Sequence, residues 1–337
     1  MKVNKGIWLI QICSVVLMAL LSSNVSAQTI RKRVTTLMGS RFEIIITAKD
    51  SASAEQYIDT VIAEITRIEN LISEWRPATQ ISEVNNNAGI RPVKVDKEVF
   101  ELTRRAIYFS RISDGAFDIS FAAMDRIWKF DDSMTEMPSP ESVKKSVAKV
   151  GYRNIILDSI NSTIFLKLEG MKIGFGSIGK GYAADRGRQV MLEHGVYAGI
   201  VNASGDMTAW GTQPDGTGWK IGITNPFNAD SLLAVIALKN ASVTTSGSYE
   251  KYVEFNGRRY SHIINPKTGY PATGLTSVTV TGPNAETANG FSTALMVLGR
   301  KKGLRLIKKY PAYSCIMITD KGKVVKSENF NKHVETY

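Results

Sequence analysis

The sequence predicts an α+β fold in one domain, with two lobes as the alternative arrangement. Three observations lead there. Apolar residues recur at helical spacing through the first third of the chain, the period shifts to strand alternation beyond residue 150, and strands and helices then mix without regular βαβ alternation. No repeat, low-complexity tract or Pro/Gly/Ser linker divides the chain.

Residues 1–27 read as a secretory leader. Lys2 and Lys5 form a basic start, Ile7 to Leu21 an apolar run, and Val25-Ser26-Ala27 a small-residue cleavage site. An uncleaved anchor is the alternative, but the run is short for a bilayer span and contains Gln11. The functional domain is then 28–337. From Ala54 to Trp75, Ile58, Val61, Ile62, Ile65, Ile68 and Ile72 recur at three- and four-residue steps, which makes an amphipathic helix. A second helix follows Asp96, and Ser139-Pro140-Glu141 opens a short third one, because proline suits a first helical turn. Asn154 to Leu157 and Thr163 to Leu168 form a hairpin. Further strands are expected at Gly199 to Asn202, Trp219 to Ile223, Leu232 to Leu238, Val253 to Phe255, Ser277 to Thr281 and around Cys315. Helical runs recur at Gly181 to Glu193, Ala285 to Leu298 and Lys302 to Lys309.

The leader carries Cys13, so its removal leaves Cys315 as the sole thiol and excludes an intramolecular disulfide in the mature chain. A chain of this length buries enough apolar surface to fold without one. The net charge of +11 attracts anions of several kinds. Export argues against nucleic acid. The cluster Arg300, Lys301, Lys302, Arg305, Lys308 and Lys309 reads as one solvated helix face, with proximity to a membrane surface as the alternative.

Two stretches carry most of the chemistry. Gly174-Phe175-Gly176-Ser177-Ile178-Gly179-Lys180-Gly181 packs glycines around one lysine ahead of a helix, which lets backbone N–H groups approach a phosphate. It matches neither a Walker loop nor a dinucleotide fingerprint, and a tight turn capping the helix is the competing reading. Tyr260-Ser261-His262-Ile263-Ile264-Asn265-Pro266 sets a histidine at a strand end, where it can take a proton from a hydroxyl near neutral pH or serve structure alone. His194 and His333 have no such context. Asn289 and Thr293 share one helix face, which suits either a joint ligand site or an ordinary polar surface.

Together with Gly115-Ala116-Phe117-Asp118, Asn202-Ala203-Ser204-Gly205-Asp206, Thr245-Ser246-Gly247-Ser248-Tyr249 and Asn289-Gly290-Phe291-Ser292-Thr293-Ala294-Leu295, these stretches resemble the ApbE family, in the same order from about Met38 to Leu298. The family consists of FAD:protein FMN transferases of the bacterial cell envelope. The resemblance implies a periplasmic, Mg²⁺-dependent enzyme. It would move the FMN half of FAD to a Ser or Thr hydroxyl of an acceptor envelope protein, such as a redox-complex subunit or flavin carrier, and release AMP. An FAD pyrophosphatase and a non-catalytic FAD-binding protein are the alternatives.

Residue by residue, the resemblance implies His262 and Lys180 as catalytic groups. Met38, Trp75, Ala116, Phe117, Asp118, Gly174, Lys180 and Ile264 would contact FAD, and Ser177, Gly179, Asn289, Ser292 and Thr293 would surround the metal. Trp75 has the flat face that flavin stacking requires, or else it is a core anchor closing the first helix. Asp206 either fixes a turn or contacts ligand. The hydroxyls of Thr245, Ser246 and Ser248 are hydrogen-bonding groups, since no base adjoins them in sequence. This chain departs from the family's pattern at Gly174 and Asn289, where many relatives carry acids. An amide oxygen binds Mg²⁺ without the charge that holds a hard cation strongly, so metal binding is expected to depend on FAD.

Overall fold

The computed structural model describes residues 28–131, 133–248, 251–255, 258–330 and 335–336. The leader assigned to residues 1–27 lies outside them, as do Tyr249 and His333. Among the described residues no helix is long and apolar enough to cross a membrane.

In chain order, β1 (Thr29–Leu37) and β2 (Ser40–Ala48) form a hairpin, followed by α1 (Ser51–Ile72), α2 (Gln80–Asn86), β3 (Val93–Lys94) and α3 (Lys97–Ile112). Then come α4 (Pro140–Ser146), β4 (Ile155–Asp158), β5 (Thr163–Leu166), α5 (Gly179–Glu193), β6 (Gly199–Ala203) and β7 (Asp206–Trp210). The strands β8 (Trp219–Asn225), β9 (Asn228–Leu238), β10 (Ala241–Gly247), β11 (Tyr252–Phe255), β12 (Arg258–Ser261) and β13 (Leu275–Gly282) lead to α6 (Ala285–Ile307). The strands β14 (Ser314–Thr319), β15 (Val324–Lys326) and β16 (Glu335–Thr336) complete the order.

The frame is an eight-stranded antiparallel sheet, ordered β1-β2-β6-β7-β10-β13-β14-β15. Successive side chains on a strand face opposite sides. On one side Val201, Val280, Cys315 and Met317 join Ile58, Ile65, Ala184 and Phe291 of α1, α5 and α6 in the larger core. On the other, Ile200, Met207, Val243 and Ile316 pack on Trp219 and Ile236 of the β8–β9 pair. Burial on both faces turns Cys315 to Ile318 into a continuous apolar run, and Cys315 is buried packing.

The α+β class expected from the sequence is the observed one. Two boundaries differ. The first helix ends at Ile72, because Ser73 turns extended (ψ 122°), so Trp75 lies outside it. The two C-terminal helical runs form one element bent at Gly299, whose φ of 71° interrupts the helical ladder. The β1–β2 hairpin, β7, β10 and α2 were not predicted. In the hairpin, Met38 (φ 50°) and Gly39 (φ 66°) make the tight turn that matches strand twist.

Candidate active site

A cavity of about 700 Å³ opens where α5, α6, the β6–β7 turn, β10 and the loops around residues 116–122 and 262–266 meet. It gathers Ala116, Phe117, Asp118, Gly174, Ser177, Lys180, His262, Ile264, Asn289 and Thr293, with Asp206 and Arg41 also on its wall. A second cavity of about 600 Å³ adjoins it and shares Glu74 and Ala122.

The Gly174 to Lys180 loop is held from three sides. Asn85 makes two hydrogen bonds with the Ile173 backbone, donating to its carbonyl at 3.0 Å and accepting from its N–H at 2.8 Å. The Gly174 N–H donates to the Ile119 carbonyl at 3.0 Å. Phe175 is buried in the core, while Ser177 and Lys180 line the cavity. No side chain caps the N-terminus of α5, so its positive end adjoins the cavity.

Lys180 Nζ pairs with Asp206 Oδ2 at 3.4 Å. Asp206 opens β7 after the two-residue turn Ser204-Gly205 and is 3% exposed. Burial pushes its pKa up to about 6 against the opposing pull of Lys180. Asp206 thus follows a turn and faces the cavity. Asp118 also lines the cavity, but its carboxylate accepts from the Ser120 N–H, the Ser120 hydroxyl and the Tyr152 N–H at 2.6–2.8 Å. Its visible role is to fix the 116–122 loop.

Helix α6 is set by two residues of α5. Asp185 on α5 accepts from the first backbone N–H groups of α6, Ala285 at 2.9 Å and Glu286 at 2.8 Å, and burial pushes its pKa up to about 7. Gly181 lets the two helices close, since a Cβ there would lie 2.4 Å from the Ala285 carbonyl oxygen. Asn289 and Thr293, one turn apart, then both face the cavity. Asn289 is buried, and its Oδ1 has no hydrogen-bond partner among the described residues. An orphaned carbonyl oxygen on a cavity wall suits an oxygen-seeking cation. No group of three His, Cys, Asp or Glu residues that could hold a metal occurs among the described residues. The donor set therefore fits Mg²⁺ in the company of a ligand's phosphates, which often supply most of that ion's ligands.

His262 follows β12 and packs edge-on to Phe130 with ring centroids 6.5 Å apart. Nδ1 lies 3.2 Å from the Lys251 carbonyl oxygen. Donation there leaves the lone pair on Nε2, the arrangement a base needs. The loop after it is pinned by Gly269, whose N–H donates to the Asn265 carbonyl and whose carbonyl accepts from the Trp128 indole.

Four residues named from the sequence lie off the main cavity wall. Met38 serves the β1–β2 turn and is packed behind the loop, donating its backbone N–H to Glu69 at 3.1 Å. Gly179 lies against Ile72 and Phe175. The Ser292 hydroxyl bonds Ser246 of β10 at 2.8 Å and the Asn289 carbonyl at 3.0 Å beneath the helix. Trp75 is 69% exposed, which rules out a core anchor; it lines the second cavity with the Arg126 guanidinium 4.4 Å from its ring.

Sequence reasoning did not single out Arg41, Glu74 or Asp185. Of these only Asp185 left a signal, since it stands four residues after Gly181 on one helix face.

Comparisons with known proteins bear on the chain as a whole. The model of the ApbE family matches residues 38–317. An FAD:protein FMN transferase of Klebsiella pneumoniae is 30% identical over 293 residues, covering 86% of this chain and 90% of the relative. One of Treponema pallidum is 29% identical over 289 residues, covering 81% of this chain and 80% of its own. Among solved structures, the ApbE protein of Thermotoga maritima superposes with a TM-score of 0.83 at 29% identity, covering 91% of this chain and all of the other. The apo flavinyl transferase ApbE of Pseudomonas stutzeri does so with 0.81 at 27%, covering 92% and 98%. With the match spanning most of the chain and the same architecture in the solved relatives, this protein belongs to the ApbE family.

Proposed function

We propose that this chain transfers FMN from FAD to a Ser or Thr hydroxyl of an acceptor protein in the periplasm, forming a phosphoester and releasing AMP. The observation that carries the reading is the convergence of Lys180, His262, Asn289 and Thr293, from separate segments, on one cavity in a chain whose relatives are named FAD:protein FMN transferases.

In this reading the acceptor hydroxyl attacks the phosphorus on the FMN side of the pyrophosphate. The new bond is oxygen to phosphorus, and the bond that breaks joins that phosphorus to the bridging oxygen, which leaves with AMP. His262 Nε2 takes the hydroxyl proton. Lys180 and the N-terminus of α5 face the phosphate oxygens, with Asp206 orienting the ammonium. The Asn289 and Thr293 side chains, with Ser177, would hold Mg²⁺, which when bound neutralises pyrophosphate charge.

The test is intact mass spectrometry of an acceptor domain incubated with the protein, FAD and Mg²⁺, with AMP followed in parallel. Addition of one FMN per acceptor, matched by AMP, is expected. AMP without modified acceptor would instead mean that water is the nucleophile, and neither product would leave FAD binding alone.

A further inference from the structure

Among the described residues three carboxylates line the main cavity, and two of them are occupied within the protein: Asp118 by three donors and Asp206 by Lys180. Glu74 is the third. Its backbone follows the end of α1 in a turn fixed by the Thr79 hydroxyl on the Ser73 carbonyl at 2.6 Å and the Ser82 hydroxyl on the Arg76 carbonyl at 2.7 Å.

The Glu74 side chain fills the space that any other residue at position 174 would need. A Cβ on Gly174 would lie 1.4 Å from Glu74 Oε2, 2.4 Å from its Cδ and 2.9 Å from Oε1. Gly174 has no left-handed φ, so what this glycine supplies is room and not backbone freedom. The carboxylate borders both cavities. Arg126 and Lys172 act on it only through their charge, and no hydrogen bond or ion pair within 4.0 Å joins it to any described residue. Arg126 lies over Trp75 instead. Burial raises the Glu74 pKa above the ordinary carboxylate range despite those two cations.

We propose that Glu74, admitted by Gly174, is the ligand-recognition carboxylate of this cavity and accepts hydrogen bonds from hydroxyl or N–H donors of the flavin nucleotide. The inference rests on FAD being the ligand. An ionised carboxylate only accepts, and it repels phosphate, so the part of the ligand beside Glu74 is a sugar hydroxyl or ring N–H while the phosphates lie toward Lys180. The carboxylate is half-buried, and an incoming donor offsets the solvation it has already lost.

The experiment measures the FAD dissociation constant by flavin fluorescence for the wild type, Glu74→Ala, Gly174→Ala and the double variant Glu74→Ala/Gly174→Asp, with thermal unfolding as the fold control. Glu74→Ala and Gly174→Ala should each weaken FAD about tenfold or more, the loss expected for one charge-assisted hydrogen bond. Gly174→Ala leaves Glu74 in the chain and only displaces it. The double variant returns a carboxylate to the same space and should recover binding to within a few-fold of wild type. A merely structural Glu74 would show no such recovery. Unchanged affinity in the single variants, or a double variant no better than Glu74→Ala, overturns the proposal. A wild type that binds no FAD would overturn the functional reading itself, which is a separate outcome.

Discussion

At the scale of single residues, the proposed chemistry turns on an amide and an imidazole. Asn289 presents a buried, unpartnered oxygen to the cavity. Asn289→Asp adds the charge that a hard cation favours, so half-maximal activity should need several-fold less Mg²⁺. A metal titration of the transfer rate checks this, and an unchanged or higher requirement would show that the site is tuned to the amide. His262→Ala should lower kcat by about 10²–10⁴-fold, the usual contribution of a general base, with little change in FAD affinity. Paired single-turnover and binding measurements separate the two effects. These residue types and their spacing were legible in the sequence. The orphaned state of Asn289 Oδ1 was not, because a missing partner is a property of neighbours distant along the chain. Gly174 shows the same limit: the sequence presents it as a lost acid, whereas the structure puts the Glu74 carboxylate in that space.

At the scale of elements, the site depends on how α6 seats on α5. Gly181→Ala would place a methyl against the Ala285 backbone, which cannot swing aside as a side chain end can. A loss of about 1–3 kcal/mol is expected from overpacking, with α6 displaced and both Asn289 and Thr293 moved with it. Denaturant unfolding and Mg²⁺-dependent activity should therefore fall together in this variant. Helices α1 and α3 were readable because a single amphipathic face leaves a 3.6-residue signature. The central strands β7 and β10 were not, since β7 buries Asp206 and Thr208 beside its apolar residues and β10 carries four Ser and Thr residues, so neither reads as an apolar core strand. Some of their polar groups are satisfied across the sheet, as in the hydrogen bond from the Ser242 hydroxyl to Thr208 at 3.0 Å, whereas the buried Thr244 hydroxyl has no partner among the described residues.

At the scale of the whole molecule, buried carboxylates give stability a definite pH slope. Asp185 is held up at about 7 and Asp206 at about 6, chiefly by burial. A native pKa above the unfolded value means the native state binds the proton more tightly. The contribution of such a group is then greatest at low pH, declines as pH rises from about 4 through the native value, and is flat above it. Wild type should exceed Asp185→Asn in unfolding free energy by more at pH 5 than at pH 8, measured by chemical denaturation at both. An advantage that grows with pH would reverse the assignment. The sequence by itself determined the α+β class, the order of the ligand-bearing segments and the family, because helical periodicity and ordered local motifs are written in neighbouring residues. Only the tertiary structure decided which of those residues share a cavity. It moved Met38 into a turn, Gly179 and Ser292 behind the wall and Trp75 to the adjoining cavity, and it brought Glu74 beside Gly174, because such proximity arises from long-range packing and leaves no trace in local spacing.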